Sequence, residues 1–176
     1  MDRRYLIVVD MQKDFIDGAL GTDQALEILP KVVEKIKSFP GTVIYTQDTH
    51  GSDYLSTQEG KILPVEHCIK GTEGWKLADP VRELCERKKA EIYEKDTFGC
   101  RKLAMEMLAR HMVNPIDSIE IVGLCTDICV VSNALLLKAF LPQVKICADA
   151  SCMAGVTPKK HEAALETMKS CQIHII

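Results

Sequence analysis

Short apolar runs rich in β-branched residues alternate along the chain with longer stretches in which apolar residues recur every three or four positions. The first pattern is typical of buried strands and the second of helices that pack on a sheet. Six runs are predicted as strands, and they lie at 5–9, 42–46, 91–94, 118–122, 144–148 and 173–176. Strands that alternate with helices predict an α/β fold, here a Rossmann-like open sheet of six parallel strands with helices on both faces.

The size and charge of the chain indicate how many domains it has and which binding partners it is not suited to. It has 176 residues, which predicts a single domain over 1–176. Lys plus Arg is 22 and Asp plus Glu is 25, and no block of like charge occurs, so we expect no binding to nucleic acid or to an anionic membrane. No apolar run approaches the roughly 20 residues of a spanning helix, and no secretory signal is recognisable. We therefore expect a cytoplasmic protein, and leave open whether it forms a homo-oligomer.

Three local features add detail to this fold. A helical stripe from Leu29 to Ile36 predicts a helix with Pro30 in its first turn. Residues 127–140 are apolar nearly all round, which predicts a helix deep between other elements. Residues 48–76 show no sustained period, and a loop of that length is usually functional or disordered. Because it contains a tryptophan and several apolar residues, we predict an ordered functional loop.

Side chains able to do chemistry follow four of the predicted strands. Asp10 follows the first strand, Asp48 and His50 follow the second, Lys95 ends the third, and Cys129 lies shortly after the fourth. Ligands bind outside the carboxyl ends of the strands in open parallel sheets. We therefore expect these side chains to meet at one edge of the sheet.

Cys129 is the candidate nucleophile among eight cysteines. It falls in the first turn of a predicted helix, where the helix dipole and Lys95 would make its thiol the most acidic of the eight, while Asp10 could accept its proton. The alternatives are a buried structural cysteine, a loop-capping Asp10 and a solvated Lys95. Cys125 lies four residues earlier, so a redox or metal-binding dithiol also remains open.

A second group of side chains is suited to a metal ion. Asp48 and His50 are two residues apart on an extended segment and project to the same side. Glu59 and His67 could complete the set from the long loop. Two imidazoles with one or two carboxylates suit one divalent ion, with zinc preferred and iron(II) or manganese(II) as alternatives. A surface loop with incidental histidines is the competing interpretation.

Five motifs occur in order over nearly the whole chain: Asp10-Met11-Gln12-x-Asp14-Phe15, Asp48-x-His50, Leu63-Pro64-Val65-Glu66-His67-Cys68 with Gly71-Thr72-x-Gly74, Lys95-Asp96-Thr97-Phe98, and Gly123-x-x-Thr126-Asp127-x-Cys129-Val130. Together they resemble the isochorismatase-like cysteine hydrolases. The resemblance implies a catalytic triad of Asp10, Lys95 and Cys129. It also implies a cis peptide bond between Leu124 and Cys125, and an oxyanion hole formed by the backbone N–H groups of Cys125 and Cys129.

Within that superfamily, the Asp-x-His and later His are similar to the metal site of the nicotinamidases, also called pyrazinamidases. The resemblance implies an amidohydrolase that converts nicotinamide to nicotinate and ammonia through a cysteine thioester, as part of NAD salvage. Glu59 takes the place of the third metal ligand. An aromatic residue often precedes the final metal histidine in nicotinamidases, and this chain has Leu63-Pro64 there.

Substrate-contacting residues are less defined than the triad. Phe15 and Phe98 are the candidates for the wall that stacks on the pyridine ring, and Leu124 is a third residue expected to contact substrate. Two other functions remain open. One is an amidase of the same superfamily that acts on another small amide without a metal. The other is a redox or binding module that uses Cys125 and Cys129.

Overall fold

The computed structural model describes residues 3–176 and contains one six-stranded sheet in the order β3-β2-β1-β4-β5-β6. Every neighbouring pair of strands is parallel. The strands are β1 (Arg4–Val9), β2 (Thr42–Asp48), β3 (Glu91–Lys95), β4 (Ser118–Leu124), β5 (Lys145–Ala154) and β6 (His174–Ile175). This sheet confirms the predicted fold class, and the reversal of strand order beside β1 creates the crevice in which such sheets bind ligands.

Helices cover both faces of the sheet. They are α1 (Lys13–Ile16), α2 (Asp23–Ser38), α3 (Gln58–Ile62), α4 (Asp79–Lys88), α5 (Arg101–Val113), α6 (Val131–Phe140) and α7 (Pro158–Ser170). Alternate residues of β1 point to opposite faces, so Leu6 and Val8 pack with α2 and α4, whereas Ile7 and Val9 pack with α5, α6 and α7. The two hydrophobic clusters fix the strands, and with them the positions of the strand ends.

Two helices differ in detail from the prediction. The prediction that Pro30 lies in a first turn is wrong, because α2 begins at Asp23, where the Thr22 side chain accepts a hydrogen bond from Ala25 N at 3.1 Å. The segment predicted as one helix from 127 starts as a π-helical turn, Thr126–Val130, and continues as α6. Helix α6 lies between α5 and α7, and much of its surface is only half-buried.

The long segment after β2 is ordered, as predicted. It contains a 3₁₀ turn, Tyr54–Ser56, and then α3. His50 pairs with Ile69 in a parallel bridge, so the end of the loop returns alongside its beginning. Trp75 packs within the loop, and its indole N–H donates to Thr49 Oγ1 at 2.9 Å. Among residues 3–176, no helix has the length and hydrophobicity needed to cross a membrane.

Gly123 is required where the two central strands pair. It lies opposite Val9, its φ is +117°, and a Cβ at this position would lie 2.1 Å from the Val9 carbonyl oxygen. We expect Gly123→Ala to lower the free energy of unfolding by roughly 1–3 kcal/mol, because both the backbone conformation and the close approach exclude a side chain. Thermal unfolding of the purified variant measures this, and a melting temperature equal to that of the wild type would contradict it.

Candidate active site

The candidate site lies at the carboxyl edge of the sheet, around the ends of the four strands β3, β2, β1 and β4. Asp10 directly follows β1. Asp48 and Lys95 are the last residues of β2 and β3 and stand opposite each other in register. Cys129 lies in the π-helical turn after β4. The structure therefore brings together the side chains that the sequence places at separate strand ends.

Lys95 links the two carboxylates to the thiol. Its Nζ lies 2.7 Å from Asp10 Oδ2, 3.1 Å from Asp48 Oδ1 and 3.4 Å from Cys129 Sγ. The side chains of Lys95 and Asp10 are 2% and 0% exposed, so this is a buried ion pair rather than a solvated strand-end charge. Thr46 Oγ1 donates to Asp10 Oδ1 at 2.6 Å and fixes the orientation of the carboxylate.

Burial sets the proton positions in the resting site. Burial raises the pKa of the Asp10 carboxyl above its ordinary value, although the Lys95 charge opposes the shift. Burial and the nearby Asp10 carboxylate also raise the pKa of the Cys129 thiol, with Lys95 again opposing. The prediction that Cys129 has the most acidic thiol is therefore wrong for the resting protein, because it counted the helix terminus and Lys95 but not the loss of water. The thiol stays protonated next to a carboxylate that can accept its proton.

The turn that contains Cys129 is held from both of its sides. The peptide bond between Leu124 and Cys125 is cis, as the resemblance implies. Thr126 Oγ1 is 2.8 Å from His161 Nδ1 on α7, and the Asp127 carboxylate accepts a hydrogen bond from the Val156 N–H at 2.9 Å. His161 is thus a hydrogen-bonded partner of the turn.

Asp48, His50 and His67 form a candidate metal centre. Each of these residues offers a ligand atom, and the three atoms lie within 4.8 Å of one another. Asp48 Oδ2 is 3.0 Å from His50 Nε2 and 3.7 Å from His67 Nε2. Glu59 Oε1 lies 3.8 and 3.7 Å from the same two nitrogen atoms. Neutral imidazoles and carboxylates clustered in this way suit a divalent ion.

Neighbouring groups orient the side chains of this candidate metal centre. His67 Nδ1 lies 2.8 Å from the Val65 carbonyl oxygen, and a hydrogen bond there leaves Nε2 free to face the cluster. The buried Tyr54 ring packs against both imidazoles, with centroid distances of 4.7 Å to His50 and 5.0 Å to His67. Although burial opposes ionisation of Asp48, the hydrogen bond from His50 and the charge of Lys95 hold its pKa below the ordinary value. The carboxylate is therefore available as an anionic ligand.

Gln12 ties the loop to the sheet beneath this cluster. Its side-chain amide donates to the carbonyl oxygens of Asp48 and Trp75, both at 2.8 Å, and accepts from the Asp48 N–H at 2.7 Å. Gln12 is fully buried, and these three hydrogen bonds satisfy an amide that has no water to bind. The backbone of Asp48 is consequently fixed from the β1 side.

A cavity of about 480 Å³ joins the two groups of residues, since Cys129 and Cys125 line one part of it and Asp48, Glu59 and His67 another. Phe15 and Phe98, the candidates for the stacking wall, both line it, and Leu20, Ile62 and Leu63 add apolar surface. Leu124 does not line it. Its side chain is 1% exposed and packs in the core on the α2 face, because the residue is the last of β4 and points away from the cavity.

Two further cysteines and one further histidine of the sequence analysis can be described from their surroundings. Burial raises the pKa of Cys125 to about 12 and raises that of Cys68 further, so neither thiol is activated. His111 Nδ1 accepts a hydrogen bond from the Ile116 N–H at 3.0 Å. Sequence reasoning missed Tyr54 beside the imidazoles and Asn133 beside Cys129, since neither has a pattern that points to its tertiary partner.

Comparison with known proteins agrees with this geometry. Residues 4–176 match the model of the isochorismatase domain family. The chain is 24% identical to the nicotinamidase of Saccharomyces cerevisiae over 97% of this chain and 98% of the yeast protein. It is 28% identical to the crystal structure of a nicotinamidase/pyrazinamidase from Bacillus subtilis, with a TM-score of 0.84 over 99% of both chains.

Two further structures mark the breadth of the fold. The pyrazinamidase of Pyrococcus horikoshii in complex with zinc is 29% identical, with a TM-score of 0.78 over 99% of this chain and 98% of that one. An N-carbamoylsarcosine amidase from Thermoplasma acidophilum, 24% identical over 99% of this chain and 95% of that one, has a TM-score of 0.76 and shares the fold. With a family match over nearly its whole length, the chain belongs to the isochorismatase-like hydrolases, as an amidohydrolase most similar to nicotinamidases.

Proposed function

We propose that the protein hydrolyses nicotinamide to nicotinate and ammonia, with Cys129 as nucleophile. The observation that supports this most is the single cavity that Cys129 lines on one side and Asp48 and His67 line on another. Behind Cys129, Lys95 links the thiol to Asp10, and His50 completes the group of ligand atoms. A buried thiol next to a carboxylate can act as the nucleophile in acyl transfer. The separate group of ligand atoms can hold a metal ion that orients a heteroaromatic ring. The nicotinate formed would enter NAD salvage in the cytoplasm.

In the first half of the reaction, Asp10 accepts the proton of Cys129 while sulfur attacks the amide carbon. The backbone N–H groups of Cys125 and Cys129 stabilise the negative charge on the carbonyl oxygen. Asp10 then returns the proton to the nitrogen, the C–N bond breaks, and ammonia leaves. A thioester between the nicotinoyl group and Cys129 remains.

The second half repeats the same proton transfers with water. Asp10 removes a proton from a water molecule, whose oxygen attacks the thioester carbon. The C–S bond breaks, nicotinate forms, and the Cys129 thiol regains its proton from Asp10. Lys95 keeps its positive charge throughout, because its carboxylate neighbours hold its pKa above the ordinary value despite burial. It therefore offsets each negative charge that develops beside it.

The donor set fits a resident divalent ion. Asp48, His50 and His67 would hold it, with Glu59 bound directly or through water, and zinc is the ion that we propose. When bound, it would orient the substrate through the pyridine nitrogen, directly or through a bound water molecule. Phe15 and Phe98 would enclose the ring of that substrate.

An ammonia-release assay tests the proposed function. Purified protein, loaded with Zn²⁺, Fe²⁺ or Mn²⁺ in separate samples, is mixed with nicotinamide, and ammonia and nicotinate are quantified together. We expect equal amounts of the two products. Absence of both products with every metal would contradict the proposal, and hydrolysis of another small amide by chelated protein would favour a metal-independent amidase.

Benzamide tests the orienting role of the metal centre. It has the size and amide of nicotinamide but lacks the ring nitrogen, so we expect a much lower kcat/KM for benzamide with the metal-loaded enzyme. Removal of the metal by chelation should raise the KM for nicotinamide strongly, because an interaction present in the ground state is lost. Equal kcat/KM values for the two amides would refute the orienting role while leaving the cysteine chemistry in place.

A further inference from the structure

The buried side chain of Asn133, on α6, hydrogen-bonds to two parts of the candidate site. Its Nδ2 donates to the carbonyl oxygen of Cys129 at 2.8 Å and to that of Phe98 at 3.1 Å. Its Oδ1 accepts from the Cys100 N–H at 2.9 Å. Asn133 is 1% exposed, so these three hydrogen bonds form without competition from water.

The two parts that Asn133 joins come from different regions of the chain. One is the turn with the proposed nucleophile. The other, which we call the Phe98 strap, is residues 96–100, between β3 and α5, and its residues Asp96, Thr97 and Phe98 line the cavity. The strap approaches α6 closely, since a Cβ at Gly99 would lie 3.3 Å from the Ser132 carbonyl oxygen.

Phe98 is 46% exposed, so packing holds it less firmly than a core residue, and the hydrogen bonds of its backbone matter more for its position. The side-chain amide of Asn133 holds the last three residues of the strap at both ends. It donates to the Phe98 carbonyl oxygen and accepts from the Cys100 N–H. The third bond of that amide goes to the backbone of the thiol-bearing residue. The backbone of the strap therefore cannot shift relative to the backbone of Cys129 without breaking or straining these bonds.

We propose that Asn133 is a positioning residue that sets the distance between the Phe98 wall and the Cys129 sulfur, and so selects planar aromatic amides for attack. This inference rests on the proposed function for the identity of the substrate, but the geometry can be tested without hydrolysis. Asn133 touches neither substrate nor reacting atoms. It acts through the backbone of the two residues that do.

A double-mutant cycle on alkylation of Cys129 tests the proposal. Rate constants for phenacyl bromide, an aromatic reagent, and iodoacetamide, a small one, are measured at Cys129 by peptide mass spectrometry. The four proteins are the wild type, Asn133→Ala, Phe98→Ala and the double variant. We expect the ratio of the rate constant for phenacyl bromide to that for iodoacetamide to fall at least fivefold in each single variant. In the double variant it should fall no further, within twofold, because the wall is already lost.

Leu137→Ala is the matched control for loss of stability. Leu137 is one turn further along α6, equally buried, and does not line the cavity. We expect it to lower the melting temperature and to leave the alkylation ratio at the wild-type value. An unchanged ratio in Asn133→Ala, effects of the two single variants that multiply in the double variant, or a fall in Leu137→Ala equal to that in Asn133→Ala would each overturn the positioning role.

Steady-state kinetics separate this inference from the proposed function. With nicotinamide, both single variants should raise KM at least fivefold, and the double variant should raise it no further. Asn133→Ala should also lower kcat, since the Cys129 carbonyl loses its partner. A wild-type protein that releases no ammonia from nicotinamide would overturn the proposed function alone, and the alkylation ratios would still decide the role of Asn133.

Discussion

Replacement of Cys129 by alanine should abolish ammonia release from nicotinamide while the fold stays intact. In other enzymes, loss of the nucleophile from a catalytic triad lowers kcat by roughly 10⁴- to 10⁶-fold, and we expect a loss in this range. The direct measurement is acid quenching of wild-type protein during turnover, followed by mass spectrometry of its peptides. A nicotinoyl group should be found on the peptide with Cys129, and not in the alanine variant.

Cys147→Ala is the control for the general effect of removing a buried thiol. Cys147 lies in β5 and is 8% exposed, outside the cavity, and its variant should keep kcat/KM near the wild-type value. Near-normal turnover by Cys129→Ala, or a nicotinoyl adduct on a different cysteine, would contradict the nucleophile assignment. Rapid labelling of the exposed Cys171 in the resting protein would not, because accessibility rather than catalytic role governs that reaction.

Lys95→Met should lower kcat/KM by roughly 10²- to 10³-fold, the effect found in other enzymes when one preorganised electrostatic group is removed from the active site. Methionine keeps most of the volume but leaves the buried Asp10 carboxylate without its cation. Lys95 lowers the pKa of both Asp10 and Cys129, so both pKa values should rise in the variant. The acidic limb of the pH dependence of kcat/KM should move to higher pH, and part of the activity should return as the pH is raised.

Lys35→Met provides a matched control in the same sheet. Lys35 also bridges two carboxylates, with an ion pair to Glu120 and another to Asp149 at 2.8 Å, and it lies outside the candidate site. Its replacement should lower the melting temperature without moving the pH profile. Wild-type kinetics in Lys95→Met, or an equal shift of the pH profile in Lys35→Met, would contradict a specific role for Lys95.

The residues at the strand ends could be predicted from sequence, because a short apolar run is enough to show where a strand ends. Asp10, Asp48 and Lys95 follow or end apolar runs, and parallel strands place such residues at one edge whatever the loops do. The positions of Glu59 and His67 depend on how the long loop folds back, so only the residue types suggested the metal cluster. The parallel bridge of His50 to Ile69, which brings His67 close, has no periodic signal in the sequence.

Two errors have the same physical origin, which is that burial is a tertiary property. The Cys129 thiol was expected to be acidic from its helical position, yet its pKa is raised because the site excludes water. Leu124 is predicted to contact substrate, yet alternation along β4 directs it to the opposite face. In both cases the sequence shows the local position of the residue but not what surrounds it in the folded chain.

The strand order also determines when during synthesis the chain can become an enzyme. Strand β1 pairs with β4, and at the beginning of that pairing Arg3 bonds to Asp117, which is 114 residues away. A nascent chain can join β1, β2 and β3 early, but it leaves one edge of β1 open until most of the polypeptide has left the ribosome. Closing so long a segment slows folding. The unfinished protein therefore contains Asp10 and Lys95 before it has Cys129 for them to contact.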